Sequence, residues 1–404
     1  MHDETPLIAL IAIGLAFAFV GGYAAIRFGL SPIIGYLLAG IALGPFTPGF
    51  VGEPQLAAEL AEIGVILLMF GVGMHFSVSE LWMMRTVAVP GAMIQILVAT
   101  ALGTGLALLW GWSFAGGLIF GLALSVASTV VLLRALESLS AVNTPDGKIA
   151  IGWLVVEDVV MVVALVLLPV IAGHGGATAP GPGHPAGPAL WPQLGMTLGK
   201  VAVFVALMLV FGSRLFPWLL QRVERTGSRE LFTLAVIALA LGVAFGAHKV
   251  FGLSFALGAF FAGVVIHQSD LHQQAATSLQ PFQDAFGVLF FVAVGMLFDP
   301  MIMVRHPVQV LAVLGIVIIG KSLAAFGIVL VLRRPLSTAL VVSAALAQIG
   351  EFSFILAALG VQLGFISLEA QNLILAGALL SITLNPLVFF AVGRLQPTPR
   401  AAGP

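Results

Sequence analysis

The sequence has no cysteine and very little charge. Without cysteine there is no disulfide scaffold, no thiolate metal site, no iron–sulfur cluster and no thiol nucleophile. Only 8% of the 404 residues are charged, while 60% are hydrophobic and the mean hydropathy is +1.14. A soluble domain carries roughly a quarter charged residues, so these few ionic groups cannot cover a water-exposed surface. The chain belongs in a bilayer. Its net charge of −1 provides no basic field for nucleic acid. The start, MHDETP, lacks the basic n-region of a cleaved signal peptide, so the first apolar run is expected to stay as a spanning helix.

A spanning helix needs about 20 apolar residues, and somewhat fewer where it is broken or supported by neighbours. By that measure the sequence predicts an all-α polytopic membrane protein of about thirteen segments. They fall near residues 6–26, 31–45, 56–74, 87–110, 114–136, 148–172, 193–219, 229–247, 251–267, 281–298, 308–332, 337–362 and 367–393. The least sharply marked are the short second segment and the seam at His248–Lys249. With the N-terminus outside and one crossing per segment, Arg27, Arg85, Arg134, Lys148, Arg214, Arg222, Arg225, Arg229, Arg333, Arg334, Arg394 and Arg400 fall on the cytoplasmic side. Only Lys249 and Arg305 fall outside, and Lys200 and Lys321 lie within segments. This asymmetry is what the positive-inside rule demands.

Residues 173–192 form a Gly/Pro/Ala linker without Lys, Arg, Asp or Glu, expected on the outer side as a tether between two halves, 1–172 and 193–395. His174 and His184 sit in it, and a metal site there is disfavoured. Residues 396–404 are a short tail, and no soluble regulatory domain is expected.

In a bilayer the informative residues are the ionisable ones deep inside helices, because each costs several kcal/mol unless paired or hydrated. Glu157 and Asp158 sit together in the segment 148–172, Lys321 in 308–332 and Glu351 in 337–362. Neighbours on a helix point about 100° apart, so one carboxylate can face a cavity while the other faces an adjacent helix. Two carboxyls this close in a low dielectric repel, which favours keeping a proton on one of them. A carboxyl that exchanges that proton for a cation performs the elementary act of an antiporter. The plainer reading is an ion pair that staples helices, for example Glu157 with Lys321. Glu351 follows Gly350 at a point where its helix can break, and its plainer role is to satisfy backbone there.

Ser125, Ser128 and Thr129 cluster in the middle of segment 114–136, and Ser343, Gln348, Gly350 and Glu351 at similar depth in segment 337–362. Such hydroxyls often only bond back to their own helix. Two segments of this kind in opposite orientation, one in each half, match an inverted repeat whose discontinuous helices cross near the midplane and bind an ion. A hard cation wants oxygen ligands, which Ser128, Thr129, Asp158 and local carbonyls supply. Glycines 35, 40, 44, 71 and 73 suit close helix packing. His248 and His267, near segment ends, read as structural.

Several ordered motifs then carry a family resemblance: GYLLAGIALGP (35–45), ELAEIGVILLMFGVGMHFS (59–77), ALSVASTVVLL (123–133), WLVVEDVVMVVALVLLP (153–169), FGLSFALGAFFAGVVIHQSD (251–270), PFQDAFGVLFFVAVGMLFD (281–299), GKSLAAF (320–326) and ALAQIGEFSFILA (346–357). Together they resemble the Kef-type branch of the monovalent cation:proton antiporter superfamily over nearly the whole chain. The resemblance implies a thirteen-helix, NhaA-like antiporter fold with a dimerisation domain and a mobile ion-translocating core, assembled as a homodimer in the bacterial inner membrane. It also implies Asp158 as the cation- and proton-binding carboxylate and Ser128 and Thr129 on the unwound crossing helix. Lys321 matches the lysine that pairs with the first acid in electrogenic relatives. Glu157 occupies a position that is Gln in typical Kef proteins, so the choice of K⁺ or Na⁺ and the stoichiometry stay open. The nucleotide-binding domain common to Kef-like chains has no counterpart in these residues.

The sequence thus predicts a proton-coupled exchanger of K⁺ or Na⁺. Its site is Asp158, Glu157, Ser128 and Thr129, with Lys321 and Glu157 balancing charge and Ser125, Gln348, Gly350 and Glu351 supporting the crossing. Its partners are the cation, the proton, the lipid bilayer and a second copy of the chain. No cofactor, no resident metal and no nucleic acid is expected. Two other readings of the same residues remain: a channel lined by the acids, which a filter-like repeat would favour, and an organic-anion symporter, which would want an uncharged polar site. An enzyme would need a nucleophile–base pair or a set of metal ligands, and the sequence displays neither.

Overall fold

The computed structural model describes residues 6–48, 53–75, 86–138, 141–142, 144–175 and 190–395, all helix, turn or loop. Most of the predicted linker, with His184, and the tail 396–404 lie outside the described residues, as do Arg85 and Arg400. Helices follow the apolar runs because a backbone in lipid must satisfy its own hydrogen bonds. Nine helices are long and apolar enough to cross a membrane among the described residues, and several shorter apolar ones accompany them. The chain is a multi-pass membrane protein.

It divides into two compact units. The first comprises residues 1–24, 35–77 and 162–298. It takes in most of α1 (Pro6–Arg27) and α2 (Pro32–Leu43), all of α3 (Pro54–His75), and the end of α7 (Pro145–Gly175). Then come α8 (Leu190–Leu207), a π turn at Met208–Gly212, α9 (Ser213–Glu224), α10 (Arg229–Phe251), α11 (Phe255–His267) and α12 (His272–Met296). Here helices meet through glycine. A Cβ at Gly73 would run into the Phe260 carbonyl, and one at Gly263 into the Phe70 carbonyl, so α3 and α11 touch backbone to backbone. Gly40 on α2 and Gly295 on α12 make the same reciprocal approach. Around these contacts Leu10, Ala18, Leu43, Leu60 and Met296 close an apolar core.

The second unit comprises residues 25–34, 78–161 and 299–404. It holds α4 (Ala88–Leu109), α5 (Phe114–Ser125), α6 (Thr129–Ser138) and the first half of α7. It continues with α13 (Ile302–Arg305), α14 (Pro307–Gly315), a π turn at Ile316–Gly320, α15 (Lys321–Val331), α16 (Leu336–Ala345), α17 (Glu351–Gln362) and α18 (Leu368–Leu395). Its core packs around the fully buried Trp153, with Leu132, Leu136, Val329, Val342 and Leu346. Two pairs of half-helices define this unit. Residues 126–128 separate α5 from α6, and residues 346–350 separate α16 from α17.

Three boundaries differ from the sequence reading. The seam at His248–Lys249 is continuous helix; α10 ends instead at Gly252, in the left-handed region at φ 69°, where its N–H bonds to the His248 carbonyl and Leu253 N–H to the Ala247 carbonyl. The tenth segment begins at His272 rather than 281, because the polar run HQQAATSLQ continues the helix and Pro281 sits inside it. The seventh runs to Glu224 rather than 219, through the π turn.

Candidate functional site

Breaking a helix inside an apolar medium frees backbone N–H and C=O groups that must find partners. The second unit breaks two helices and brings the breaks together. Gly350, extended at φ −103° and ψ 175°, donates its N–H to the Val126 carbonyl at 3.1 Å. A Cβ at Gly350 would collide with the Ala127 backbone, so only glycine allows this approach. A Cβ at Gly360 would pack against Ile119, and one at Gly116 would run into the Phe365 carbonyl. Residue numbers thus fall along α17 as they rise along α5. The two broken helices run antiparallel and cross at their breaks.

Side chains satisfy what the crossing leaves over. The Gln348 amide serves Ser128 twice: its Oε1 accepts from the Ser128 N–H at 2.9 Å and its Nε2 donates to the Ser128 carbonyl at 3.1 Å. Glu157 Oε2 accepts from the Ala127 N–H at 2.8 Å. Lys321 Nζ donates to the Gln348 carbonyl at 2.9 Å. The Ser128 Oγ caps α6 by accepting from the Val131 N–H at 3.3 Å. Anionic groups near the helix N-termini and a cation near a carbonyl end also oppose the local helix dipoles. A π turn, Ile316–Gly320, widens the helix immediately before Lys321.

Sequence reasoning had no signal for four further residues. Gln95 donates from Nε2 to the Ser125 carbonyl at 2.9 Å and accepts from the Trp153 indole N–H at 3.3 Å. The Ser381 hydroxyl accepts from the Ile349 N–H at 3.2 Å, and Asn385 donates to the Ala344 carbonyl at 3.0 Å. An uncharged amide or hydroxyl in a helix stands out neither by charge nor by hydropathy. Ser125 and Ser343 turn back onto their own helices, bonding the Leu122 and Leu340 carbonyls at 2.7 and 3.0 Å.

The four buried charges act on one another unequally. Glu157 and Lys321, both 0% exposed, feel one another's charge. They are not in direct contact, because no nitrogen–oxygen distance within 4.0 Å links Lys321 to a carboxylate among the described residues. The expected Glu157–Lys321 relation is therefore one of charge across a gap, with the ammonium bound to a carbonyl. Asp158 has Glu351 as its foremost charged neighbour, ahead of Glu157. Asp158 and Glu351 keep a little accessible surface, 6% and 7%. Thr129 donates to Asp158 Oδ2 in a long bond of 3.4 Å, while the N–H groups of Glu351 itself and of Thr129, with the Ser128 hydroxyl, act on the Glu351 carboxylate. Buried oxygens without a protein partner remain on Asp158 (Oδ1), Glu351 (Oε2) and Glu157 (Oε1). Such an arrangement of carboxylates and hydroxyls can hold a hard cation or a proton. His248 and His267 instead bond the Leu253 and Met74 carbonyls through Nδ1, at 3.1 and 2.6 Å.

The sodium/hydrogen exchanger transmembrane family model matches residues 15–394. The chain is 56% identical over 395 residues to the Escherichia coli (strain K12) protein named "Putative cation/proton antiporter YbaL", spanning 96% of this chain and 69% of that one. It is 33% identical over 390 residues to K(+) efflux antiporter 4 of Arabidopsis thaliana, spanning 96% of this chain and 64% of the relative. Among solved structures, the sodium proton antiporter MjNhaP1 from Methanocaldococcus jannaschii superposes with a TM-score of 0.73 at 16% identity, over 96% of this chain and 98% of that one. That last likeness concerns the fold. The match along almost the whole length, joined to a relative at 56% identity, makes this chain a member of the sodium/hydrogen exchanger transmembrane family, a family of transporters rather than enzymes.

Proposed function

We propose that the protein is a secondary active transporter that exchanges K⁺ or Na⁺ for protons across a bacterial inner membrane, with Asp158 as the shared binding site. The observation that carries this reading is the crossing itself. Its backbone groups meet side-chain partners, yet the Asp158 carboxylate keeps a buried oxygen with none. An ion at that oxygen stabilises the charged carboxylate and a proton neutralises it, so the two occupants exclude one another. Exclusive occupancy, coupled to alternating access, is antiport. Ser128 and Thr129 add hydroxyl oxygens beside Asp158. Glu157 and Lys321 compensate each other's charge, and Ser125, Gln348, Gly350 and Glu351 support the break. The names of the relatives, which include cation/proton and K(+) efflux antiporters, agree with this activity.

The finer architecture belongs to the same proposal. The long helices, the short apolar helices and the two interrupted ones make up the thirteen segments read from the sequence, with the N-terminus outside and the C-terminus in the cytoplasm. The two interrupted helices are the matching elements of an inverted repeat. The unit carrying Asp158 is the ion-translocating core of an NhaA-like fold, and the protein works as a homodimer.

The test is proton movement in proteoliposomes driven by a K⁺ or Na⁺ gradient. Asp158→Asn keeps the shape of the side chain and removes the exchangeable charge, and it should abolish cation-driven proton movement while the protein still folds. Movement at the wild-type rate in that variant would refute the assignment.

A further inference from the structure

We infer that Glu351 is a second ligand of the transported cation, so that Asp158 and Glu351 form one two-carboxylate site on either side of Thr129. This rests on the assignment of Asp158 above and deepens it. The adjacent acids in the sequence, Glu157 and Asp158, are not the functional pair. Glu157 gives one oxygen to the Ala127 N–H, has Lys321 as its charged neighbour and is 0% exposed. Asp158 and Glu351 arrive from different helices, α7 and α17, and are tied to two successive residues of the break. Thr129 reaches Asp158 through its hydroxyl at 3.4 Å, while its N–H and the Ser128 hydroxyl hold Glu351.

Two further observations point to a ligand there. Both side chains are more than nine-tenths buried, and each has an oxygen with no protein partner, Oδ1 of Asp158 and Oε2 of Glu351. Both also retain a trace of accessible surface, where Glu157 and Lys321 have none. Glu157 also keeps an unpaired oxygen, Oε1, but it is fully enclosed and has the Lys321 charge as its neighbour, whereas Glu351 retains accessible surface and has Asp158 as its charged neighbour. Two carboxylates with neighbouring hydroxyls form an all-oxygen donor set for a hard cation. A monovalent ion matches only one of the two charges. A divalent ion such as Ca²⁺ matches both, and is the expected competitor for the site.

Glu351→Gln separates the two roles, since the amide oxygen can still accept from Ser128 and the Thr129 N–H but carries no charge. In proteoliposomes of the full chain, this variant should raise the K⁺ or Na⁺ concentration for half-maximal proton movement by about tenfold or more, with the rate at saturating cation largely kept. External Ca²⁺ should compete with the monovalent ion in the wild type, and the competition should weaken in Glu351→Gln. Unchanged half-saturation in Glu351→Gln, while Asp158→Asn is inactive, would overturn the role of Glu351 and leave that of Asp158 standing. Full activity in Asp158→Asn would instead remove the site assignment itself. If Glu351→Gln does not fold, wild-type protein decides the matter: absence of Ca²⁺ competition overturns the proposal.

Discussion

The first unit packs its helices through paired glycines and apolar side chains, and Ser269 is the one buried polar residue it contributes among the described residues. The second unit buries Gln95, Thr104, Ser125, Ser128, Glu157, Asp158, Lys321, Gln348, Glu351, Ser381 and Asn385, with others. Both solve the same problem, since lipid offers helices no hydrophobic drive toward one another and rewards only close packing and internal hydrogen bonds. Unbroken helices can meet backbone to backbone at Gly73 and Gly263 with little polar help beyond the His267 bond to the Met74 carbonyl. Broken helices cannot, and the polar inventory of the second unit follows from its two breaks. Most of those polar atoms are spoken for. Among the buried carboxylates, Glu157, Asp158 and Glu351 each keep an oxygen without a protein partner, and of these Asp158 and Glu351 also retain accessible surface, which is where the proposed transport site departs from backbone repair.

The comparison breaks most visibly at Lys321. Lys321→Met keeps the length of the side chain but strips the Gln348 carbonyl of its donor and leaves the buried Glu157 with no counter-charge. Removing one member of a buried charge pair costs about 3–5 kcal/mol. Adding Glu157→Gln should return part of that loss, and a double-mutant cycle on unfolding in detergent measures the coupling. Lys321→Met unfolding like the wild type would mean that the second unit does not depend on its charges for stability.

A smaller effect of different origin is expected in the first unit. Gly40→Val forces side-chain carbons against the Val292 carbonyl, where helix backbones already touch. Overpacking of this kind costs about 1–3 kcal/mol. Thermal unfolding in detergent reports it, and no second-site charge change should rescue it. Rescue by such a change would show that glycine contacts and charge repair are not separate devices.

Much of this was legible before any coordinates. Apolar runs placed most helices within a few residues, because spanning lipid and forming a helix are nearly the same demand. They misjudged α12 because hydropathy measures membrane thickness, and its first turns, HQQAATSLQ, are good helix without being apolar. They misjudged the end of α10 because a lysine at a helix terminus looks like a boundary, although its long side chain can reach past the last turn. At the site, buried charge drew attention to Glu157, Asp158, Lys321 and Glu351, and hydroxyl clusters to Ser128 and Thr129. Which groups meet is another matter. That Asp158 neighbours Glu351, and that Glu157 caps Ala127 while Lys321 binds a carbonyl, depends on how two breaks far apart in sequence cross. No spacing along the chain encodes it. Gln95, Ser381 and Asn385 were invisible for the same reason.

The finest test of the distinction lies within a single break, between two serines three positions apart. Ser125 and Ser128 are both buried, and composition alone gives them equal standing. The Ser125 hydroxyl bends back to the Leu122 carbonyl at 2.7 Å, while that of Ser128 caps α6 and holds Glu351. Ser125→Ala therefore removes one local hydrogen bond, worth about 1 kcal/mol, and touches neither carboxylate of the proposed site. Proton movement in proteoliposomes should keep its wild-type half-saturation for K⁺ or Na⁺. A several-fold rise in that concentration would mean that the hydroxyl does not stay turned into its own helix during transport, and that the ion-binding region extends one helical turn further along α5 than the static geometry places it.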